Sequence, residues 1–295
     1  MNMALRRIWL SRKFILITAA KWTAAIYAVA GFLCVFASFE GLFANDATFW
    51  DKLFVSAGVL AGTYLLCVVV LIIKVLLQNK KKVIEGHNGK CVYLLYGDLF
   101  DPKIVKGEKR YIGFAVNRCF DTIVDNNLIS ATSVHGIAFE RLYSQNMHTP
   151  QSLNEAIQRS IKGTPSYKVV AQSDKPAGNL KRYEVGAYAN LPIDDKLNYI
   201  LLGLTWFNNN LNAKASKQDY VLAIQKMIEA FDLEAQGYPV LIPIVGTGRS
   251  RTDLTENEAL EYMIEAFKLN QTRITSDIFI VVYESAKNRV SISNF

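Results

Sequence analysis

A short apolar run, Pro239-Val-Leu-Ile-Pro-Ile-Val245, stops abruptly at Gly246-Thr247-Gly248-Arg249. Two glycines let a backbone come close to a ligand, and the exposed N–H groups can then face phosphate-type oxygens. Two further apolar runs end in residues able to do chemistry. Cys91-Val-Tyr-Leu-Leu-Tyr96 ends at Gly97-Asp98, and residues 111–116 end at Asn117-Arg-Cys-Phe-Asp121. A carboxylate at a strand end can accept from an exocyclic amine or a ribose hydroxyl. Phe120 can stack on a base or a ribose. Each residue also has a plainer reading: Gly-Asp is good turn chemistry, Asn117 can cap a strand, and Arg249 can be a solvated charge. Their shared position at strand ends points to a nucleotide pocket, because ligands of open α/β sheets sit beyond the carboxyl ends of strands. His135, in Ser133-Val-His-Gly136, starts a helix. It reads as a helix-start residue lining the pocket, or as a contact to a charged distal group, since an imidazole is easily biased near neutral pH.

The four cysteines show no Cys-x-x-Cys pattern and no pairing with the three histidines at metal-ligand spacing. No metal is therefore assigned. Without a nucleophile–base set, no catalytic residue is assigned either, and no cofactor is implied. The cysteines read as buried thiols of a reducing compartment.

These candidates need rigid elements to hold them. Residues 91–96, 111–116, 168–171, 184–189, 199–206, 240–245 and 278–283 read as strands. Residues 133–143, 152–161, 216–234 and 255–269 read as helices. Ser152-x-x-Glu155 and Thr255-x-x-Glu258 look like capping boxes. Pro192-Ile-Asp-Asp195 reads as a turn, and residues 172–182, rich in Ser, Lys, Pro and Gly, as a flexible loop. Strands and helices alternate, and several strands are apolar on both faces. That pattern predicts an α/β domain whose sheet is covered on both sides.

Ahead of this domain lie two long apolar runs, residues 22–43 and 53–73. Only Glu40 is charged in the first, and the second carries no charge. Each holds about the 20 residues a helix needs to cross a bilayer. Arg6, Arg7, Arg12, Lys13 and Lys21 precede the first, and Lys74, Lys80, Lys81 and Lys82 follow the second. The connecting turn carries Asp46 and Asp51 against Lys52. The positive-inside bias predicts a two-span membrane protein with both termini and the α/β domain in the cytoplasm and the connecting turn outside. Ser56, Gly58, Ala61 and Gly62 are small residues at spacings that favour helix self-association. Residues 1–21 read either as an interfacial amphipathic helix or as a topogenic flank. The predicted organisation is thus a basic N-terminal segment 1–21, a transmembrane hairpin 22–77, a basic connector 78–90 and a nucleotide-binding domain 91–295.

Charge narrows the ligand. The net charge of +7 is not spread evenly: residues 1–90 hold 11 Lys/Arg against 4 Asp/Glu, while residues 91–295 hold 22 of each sign. All the excess therefore flanks the apolar spans. The soluble part has no global basic field, which argues against nucleic acid as a partner.

The strand exits Val92-Tyr-Leu-Leu-Tyr-Gly-Asp98 and Phe114-Ala-Val-Asn117, with the late loop Ile242-Pro-Ile-Val-Gly-Thr-Gly248, resemble the macro domain family. The resemblance spans roughly residues 90–290. It implies a three-layer α/β/α domain with a mixed sheet that binds ADP-ribose. Asp98 then looks like the adenine contact, and Gly246, Thr247 and Gly248 like the phosphate cradle. Hydrolytic members carry a second Asn and a glycine run before the first pocket helix. Here Arg118-Cys-Phe-Asp121 and Ser133-Val-His-Gly136 stand in those places. The fuller pattern adds two N-terminal spans, Asn117-Arg-Cys-Phe-Asp-Thr122, Val185-Gly-Ala-Tyr-Ala189 and Val245-Gly-Thr-Gly-Arg-Ser250. It is similar to the membrane-spanning macro-domain effectors of the type II Thoeris anti-phage system. That likeness implies a TIR-domain, NAD-consuming partner whose product, an ADP-ribose conjugate such as histidine–ADP-ribose, is the signal. Binding would drive self-association in the bilayer and abort the infection. The alternative it leaves is a membrane-tethered hydrolase of ADP-ribosyl compounds, with Asn117, Asp121 and His135 as candidates.

Overall fold

The structure is a computed structural model that describes residues 3–34, 48–106, 109–247 and 252–295. The chain divides into two compact units: residues 1–79 with 287–295, and residues 80–286.

The first unit is helical. Helix α1 covers Met3–Leu10, α2 covers Arg12–Cys34 and α3 covers Phe49–Leu77. α2 and α3 are long and apolar enough to cross a membrane, with mean hydropathy of 1.5 and 2.6 over their candidate spans. Helix α2 starts ten residues before the run read from the sequence. Residues 35–47, including Glu40 and Asp46, lie outside the described residues. Thr48 and Asp51 form a reciprocal capping box that starts α3. Ile15 and Ala19 pack on Cys67, Leu71 and Val75, while most other apolar side chains of α2 and α3 stay exposed.

Arg7 is buried, and its guanidinium donates to the carbonyls of Val75, Leu76 and Gln78. Those carbonyls end α3 and lack helical partners, so a cation there satisfies them and opposes the negative helix end. Residues 3–21 are therefore part of the helical packing. The chain's last segment belongs here too. Ser291 and Ser11 share a buried 2.6 Å hydrogen bond, Ser293 donates to Gln78, and Asn294 donates to the Leu10 carbonyl. The sequence placed this tail in the α/β domain; its hydrogen bonds place it with the helices.

The second unit is an α/β domain. Its elements are β1 (Lys80–Glu85), β2 (Cys91–Tyr96), β3 (Arg110–Asn117), α4 (Val134–Ser144), α5 (Pro150–Ser160), β4 (Tyr167–Val169), β5 (Lys181–Tyr183), β6 (Tyr188–Asp194), β7 (Leu197–Phe207), β8 (Ala213–Lys214), α6 (Lys217–Glu234), β9 (Val240–Pro243), α7 (Glu256–Leu269) and β10 (Ile278–Val282). The main sheet runs β1-β2-β10-β9-β3-β7-β6, with β8 joined to β7. The five strands from β2 to β7 are mutually parallel, and β1 and β6 close the edges antiparallel. Phe139, Leu142, Leu153 and Ile157 of α4 and α5 share a core with Ile112, Phe114, Val116 and Leu201. On the other face, a Cβ on Gly113 would lie 2.6 Å from the Phe231 ring of α6, so the glycine lets that helix sit close to the sheet. The result is the expected three-layer α/β/α domain with a mixed sheet.

Local differences have local causes. Residues 80–85 form strand β1 where the lysines had read as a connector. As an edge strand β1 needs only one apolar side, and Lys80 lays its ammonium 4.0 Å over Tyr93. Helix α5 starts at Pro150, capped by Thr149 with Ser152 completing the box, three residues ahead of the box read at Ser152. Pro192 lies inside edge strand β6, paired with Asn198, so its missing N–H is tolerated and the turn follows later. Residues 184–187 are a turn in which Gly186 has φ +82°, and the strand there begins only at Tyr188.

Candidate ligand-binding site

Because β2, β10, β9 and β3 are adjacent and parallel, their carboxyl ends meet along one side of the sheet. Those ends carry, in spatial order, Asp98, Tyr283, the loop at Gly246 and Asn117. Ligands of parallel sheets bind at this side.

Asp98 follows β2 and is exposed. Its Oδ1 accepts the Phe100 N–H at 3.0 Å, which shapes the turn. Its Oδ2 lies 3.5 Å from Arg141 of α4, an exposed pair of low energy. Arg141 itself stands 4.6 Å over the Phe100 ring. Asp98 and Arg141 both act on the neighbouring Tyr283 phenol, which burial pushes up to about 12. The Tyr283 hydroxyl is buried and has no partner among the described residues. It follows β10 just as Asp98 follows β2; a strand-end tyrosine at residue 283 was the signal the sequence offered, and it was read only as strand.

Asn117 ends β3 and is buried. Its Oδ1 accepts from the N–H groups of Cys119 (3.0 Å) and Asp121 (3.4 Å), which fixes the amide, yet its Nδ2 donor has no partner among the described residues. The turn is tight, with Phe120 in a left-handed conformation at φ +52°. That conformation is uncommon outside glycine. The Phe120 ring, 1% exposed, meets Tyr183 edge-on at 5.6 Å. The ring is thus core, which corrects its reading as an open stacking surface for a base. The Cys119 thiol beside it is pushed up to about 11 by burial.

Asp121 is likewise not an open ligand contact. It and Lys175 are each 1% exposed and form a buried ion pair. Oδ1 accepts from Lys175 at 3.1 Å and from the Asn179 N–H at 2.6 Å; Oδ2 sits 3.0 Å from the ammonium at an angle that makes no hydrogen bond. Burial pushes the carboxyl up from its ordinary range, against the pull of Lys175. The Asn179 side chain adds bonds to the carbonyls of Cys119 and Phe120. Residues 172–182, read as a flexible loop, are pinned by these contacts. The lysine carried no signal in the sequence because its partner lies 54 residues away.

His135 enters at the start of α4, which Ser133 caps. Its ring lies 4.4 Å edge-on to Phe139. One ring nitrogen bonds the backbone of Asp121, while Nε2 is buried without a partner among the described residues. Burial pushes its pKa down to about 3, so the ring is neutral near pH 7. That corrects the expectation of a charge biased near neutral pH. With its other nitrogen donating to a carbonyl, the neutral ring leaves Nε2 as an acceptor. Asn117 leaves a donor, and a ligand hydroxyl can serve either.

The glycine loop follows β9. Gly246 has φ +87°, and a Cβ there would lie 2.8 Å from the Tyr220 ring. Its carbonyl accepts from the buried Thr252 hydroxyl at 2.7 Å. Thr247 is half-buried; Gly248, Arg249 and Arg251 lie outside the described residues. A separate open depression of about 560 Å³, lined by Gln158, Thr164, Pro165, Ser166, Tyr167 and Tyr183 among others, has no charged residue in its lining and contains none of the strand-end groups.

Comparison with known proteins fits this geometry. A family model described as the macro domain of the Thoeris protein ThsA matches residues 92–283. A curated Thoeris protein ThsA from Bacillus amyloliquefaciens (strain Y2) is 23% identical over 240 residues, 79% of this chain and 75% of the relative. Among solved structures, a point mutant of the Oceanobacillus iheyensis macrodomain aligns at 11% identity and TM-score 0.43, covering 72% of this chain and 93% of that one. The same macrodomain with ADP aligns at 9% identity and TM-score 0.39, covering 70% and 90%. These overlays are partial, and the assignment rests on the family match, which runs from the second residue of β2 to Tyr283. The chain belongs to the macro-domain family of the Thoeris protein ThsA.

Proposed function

We propose that this chain is a ligand-gated membrane effector of anti-phage defence. Its macro domain binds an ADP-ribose conjugate, histidine–ADP-ribose, made by a TIR-domain partner that consumes NAD. Occupied domains favour self-association of the α2–α3 hairpins in the bacterial inner membrane. The assembled hairpins breach that membrane and stop the infected cell before phage is released. The observation that carries this reading is a set of three buried polar atoms without a partner among the described residues: Asn117 Nδ2 at the end of β3, the Tyr283 hydroxyl at the end of β10 and His135 Nε2 at the start of α4. Buried polar groups are almost always paired, and such atoms gain most from a ligand that completes them. Two helices of spanning length in the same chain support the membrane output.

Two of the three candidates of the hydrolase alternative are poorly placed to act as bases. The Asp121 carboxylate is engaged by Lys175 and Asn179, and an imidazole at about 3 is a weak base at neutral pH. The test is calorimetry of the full chain in detergent against ADP-ribose and histidine–ADP-ribose, followed by product analysis. Saturable binding that is tighter for the conjugate, with the ligand recovered intact, is the expected result. No binding of either compound would overturn the ligand assignment, and multiple-turnover release of ADP-ribose would overturn the effector reading.

A further inference from the structure

Asp121 is a hub that touches every part of the β3 exit. Its N–H bonds the Asn117 Oδ1, and its backbone bonds the His135 ring. Its carboxylate takes Lys175 and the Asn179 N–H. The two nitrogens left open for a ligand, on Asn117 and His135, therefore both hang from one residue.

Lys175 is shaped to hold that residue. Its ammonium has three protons and three acceptors: the Asp121 carboxylate at 3.1 Å, the Ala177 carbonyl at 2.6 Å and the Asn179 carbonyl at 2.9 Å. Gly178, at φ +76°, brings its backbone against the Asp121 carboxylate, where a side chain would collide. Asn179 then reaches back to the carbonyls of Cys119 and Phe120 and to Asn154 of α5. A buried ion pair is a poor means of stabilising a fold, since an apolar replacement is often as stable. Its distinctive contribution is a fixed geometry with directional bonds.

We infer that Lys175 is a positioning residue for the ligand site: through Asp121 it sets how the free nitrogens of Asn117 and His135 are presented. The inference rests on the proposed ADP-ribose-type pocket. Residues 172–182 are then a clamp on the site, and the left-handed turn at Phe120 is the conformation the clamp holds.

The experiment uses the full chain in detergent with Lys175→Met, Lys175→Arg and the double variant Lys175→Met/Asp121→Asn. The double variant matters because Lys175→Met alone strands a buried carboxylate and can unfold the domain. Its neutral pair removes that penalty but not the loss of the clamp. Two quantities are read: ADP-ribose affinity by calorimetry, and the His135 ring-nitrogen resonances in the unliganded, histidine-labelled chain. The expected result is at least a tenfold loss of affinity in the double variant, with shifted His135 nitrogen resonances, and partial recovery of both in Lys175→Arg. A folded double variant with wild-type affinity and unshifted resonances would overturn the inference, as would a fall in melting temperature without any shift of His135. If the wild-type chain itself fails to bind ADP-ribose, the ligand reading falls, and the unliganded His135 resonances still decide the role of Lys175.

Discussion

His135 should give the macro domain a pH dependence that can be calculated. Its pKa drops from an ordinary 6.5 to about 3 because burial disfavours the charged ring. The unfolded chain therefore takes up a proton below pH 6.5 that the folded chain refuses until about pH 3. With more protons bound in the unfolded state, stability rises with pH across that window and levels off above 6.5. The slope is about 1.4 kcal/mol per pH unit well inside the window. Between pH 8 and pH 5 the loss from this one residue is about 2 kcal/mol. The perturbation is His135→Asn, which keeps a donor at the δ position for the Asp121 carbonyl and cannot titrate. The assay is urea unfolding at pH 8, 6.5 and 5, followed by hydrogen exchange of β3 and β10 amides so that the helical unit does not enter. The smaller side chain lowers stability at every pH by about 1–3 kcal/mol. What decides the matter is the difference in slope between the two proteins. Parallel stability curves for wild type and His135→Asn would refute the reasoning, since they would mean the ring ionises alike in both states.

Other perturbations probe the same side of the sheet. Asp98→Asn keeps the acceptor that the Phe100 N–H uses but removes the charge, so ADP-ribose binding should weaken about tenfold, or about 1.4 kcal/mol. Urea stability should stay within about 0.5 kcal/mol, because the Arg141 pair is exposed; unchanged affinity would leave Asp98 as a turn residue alone. Gly246→Ala forces a side chain into φ +87° and against Tyr220, and should destabilise the domain by about 2–4 kcal/mol in chemical unfolding. Wild-type stability there would contradict the packing of that loop. Cys119, at about 11 and buried, should resist iodoacetamide at pH 8 in the folded chain and react on unfolding. Rapid alkylation of Cys119 with the domain intact would show that the β3 exit opens readily.

The strands β2, β3, β9 and β10 were legible because each is a short apolar run bounded by turn residues, and the sheet's interior demands that composition. β1 was not, because an edge strand needs only one apolar side and Lys80-Lys81-Lys82 reads as a polar connector. The same division holds at the site. Asp98, Asn117 and Gly246 mark strand ends, and strand ends are written locally. The roles of Asp121, Phe120 and His135 depend on burial, which arises only when distant segments close over them. Asp121 read as an open carboxylate until Lys175 arrived from 54 residues away. His135 read as a helix-start residue lining the pocket or as a contact to a charged group, and the packing of Phe114 and Phe139 makes it a buried ring. Sequence pattern thus located the strand ends, while the protonation and freedom of the residues on them were tertiary facts.

The chain connections give the strand ends a further consequence. Lys80, the first residue of β1, pairs with Leu95 from one side, and Val281 of β10 pairs with Leu95 from the other. Leu95 lies three residues before Asp98. The α/β unit begins at Lys80 and ends at Ala286, and beyond both points the chain belongs to the helical unit. Both covalent connections therefore leave the sheet around a single strand, at the end that carries Asp98 and Tyr283. Had they left from β6 or β7, a change at the site would have had to cross the rigid parallel core to reach them. Here the Gly97 N–H bonds the Val282 carbonyl at 3.0 Å, so the Asp98 turn and the outgoing strand are one hydrogen-bonded unit. A ligand that completes the Tyr283 hydroxyl acts on a residue four positions before the outgoing connection begins. In a two-state switch, a ligand shifts the population only through contacts that differ between the states. On the proposed function, contacts at the β2 and β10 ends are the ones next to the chain connections, and those at Asn117 and His135 are not.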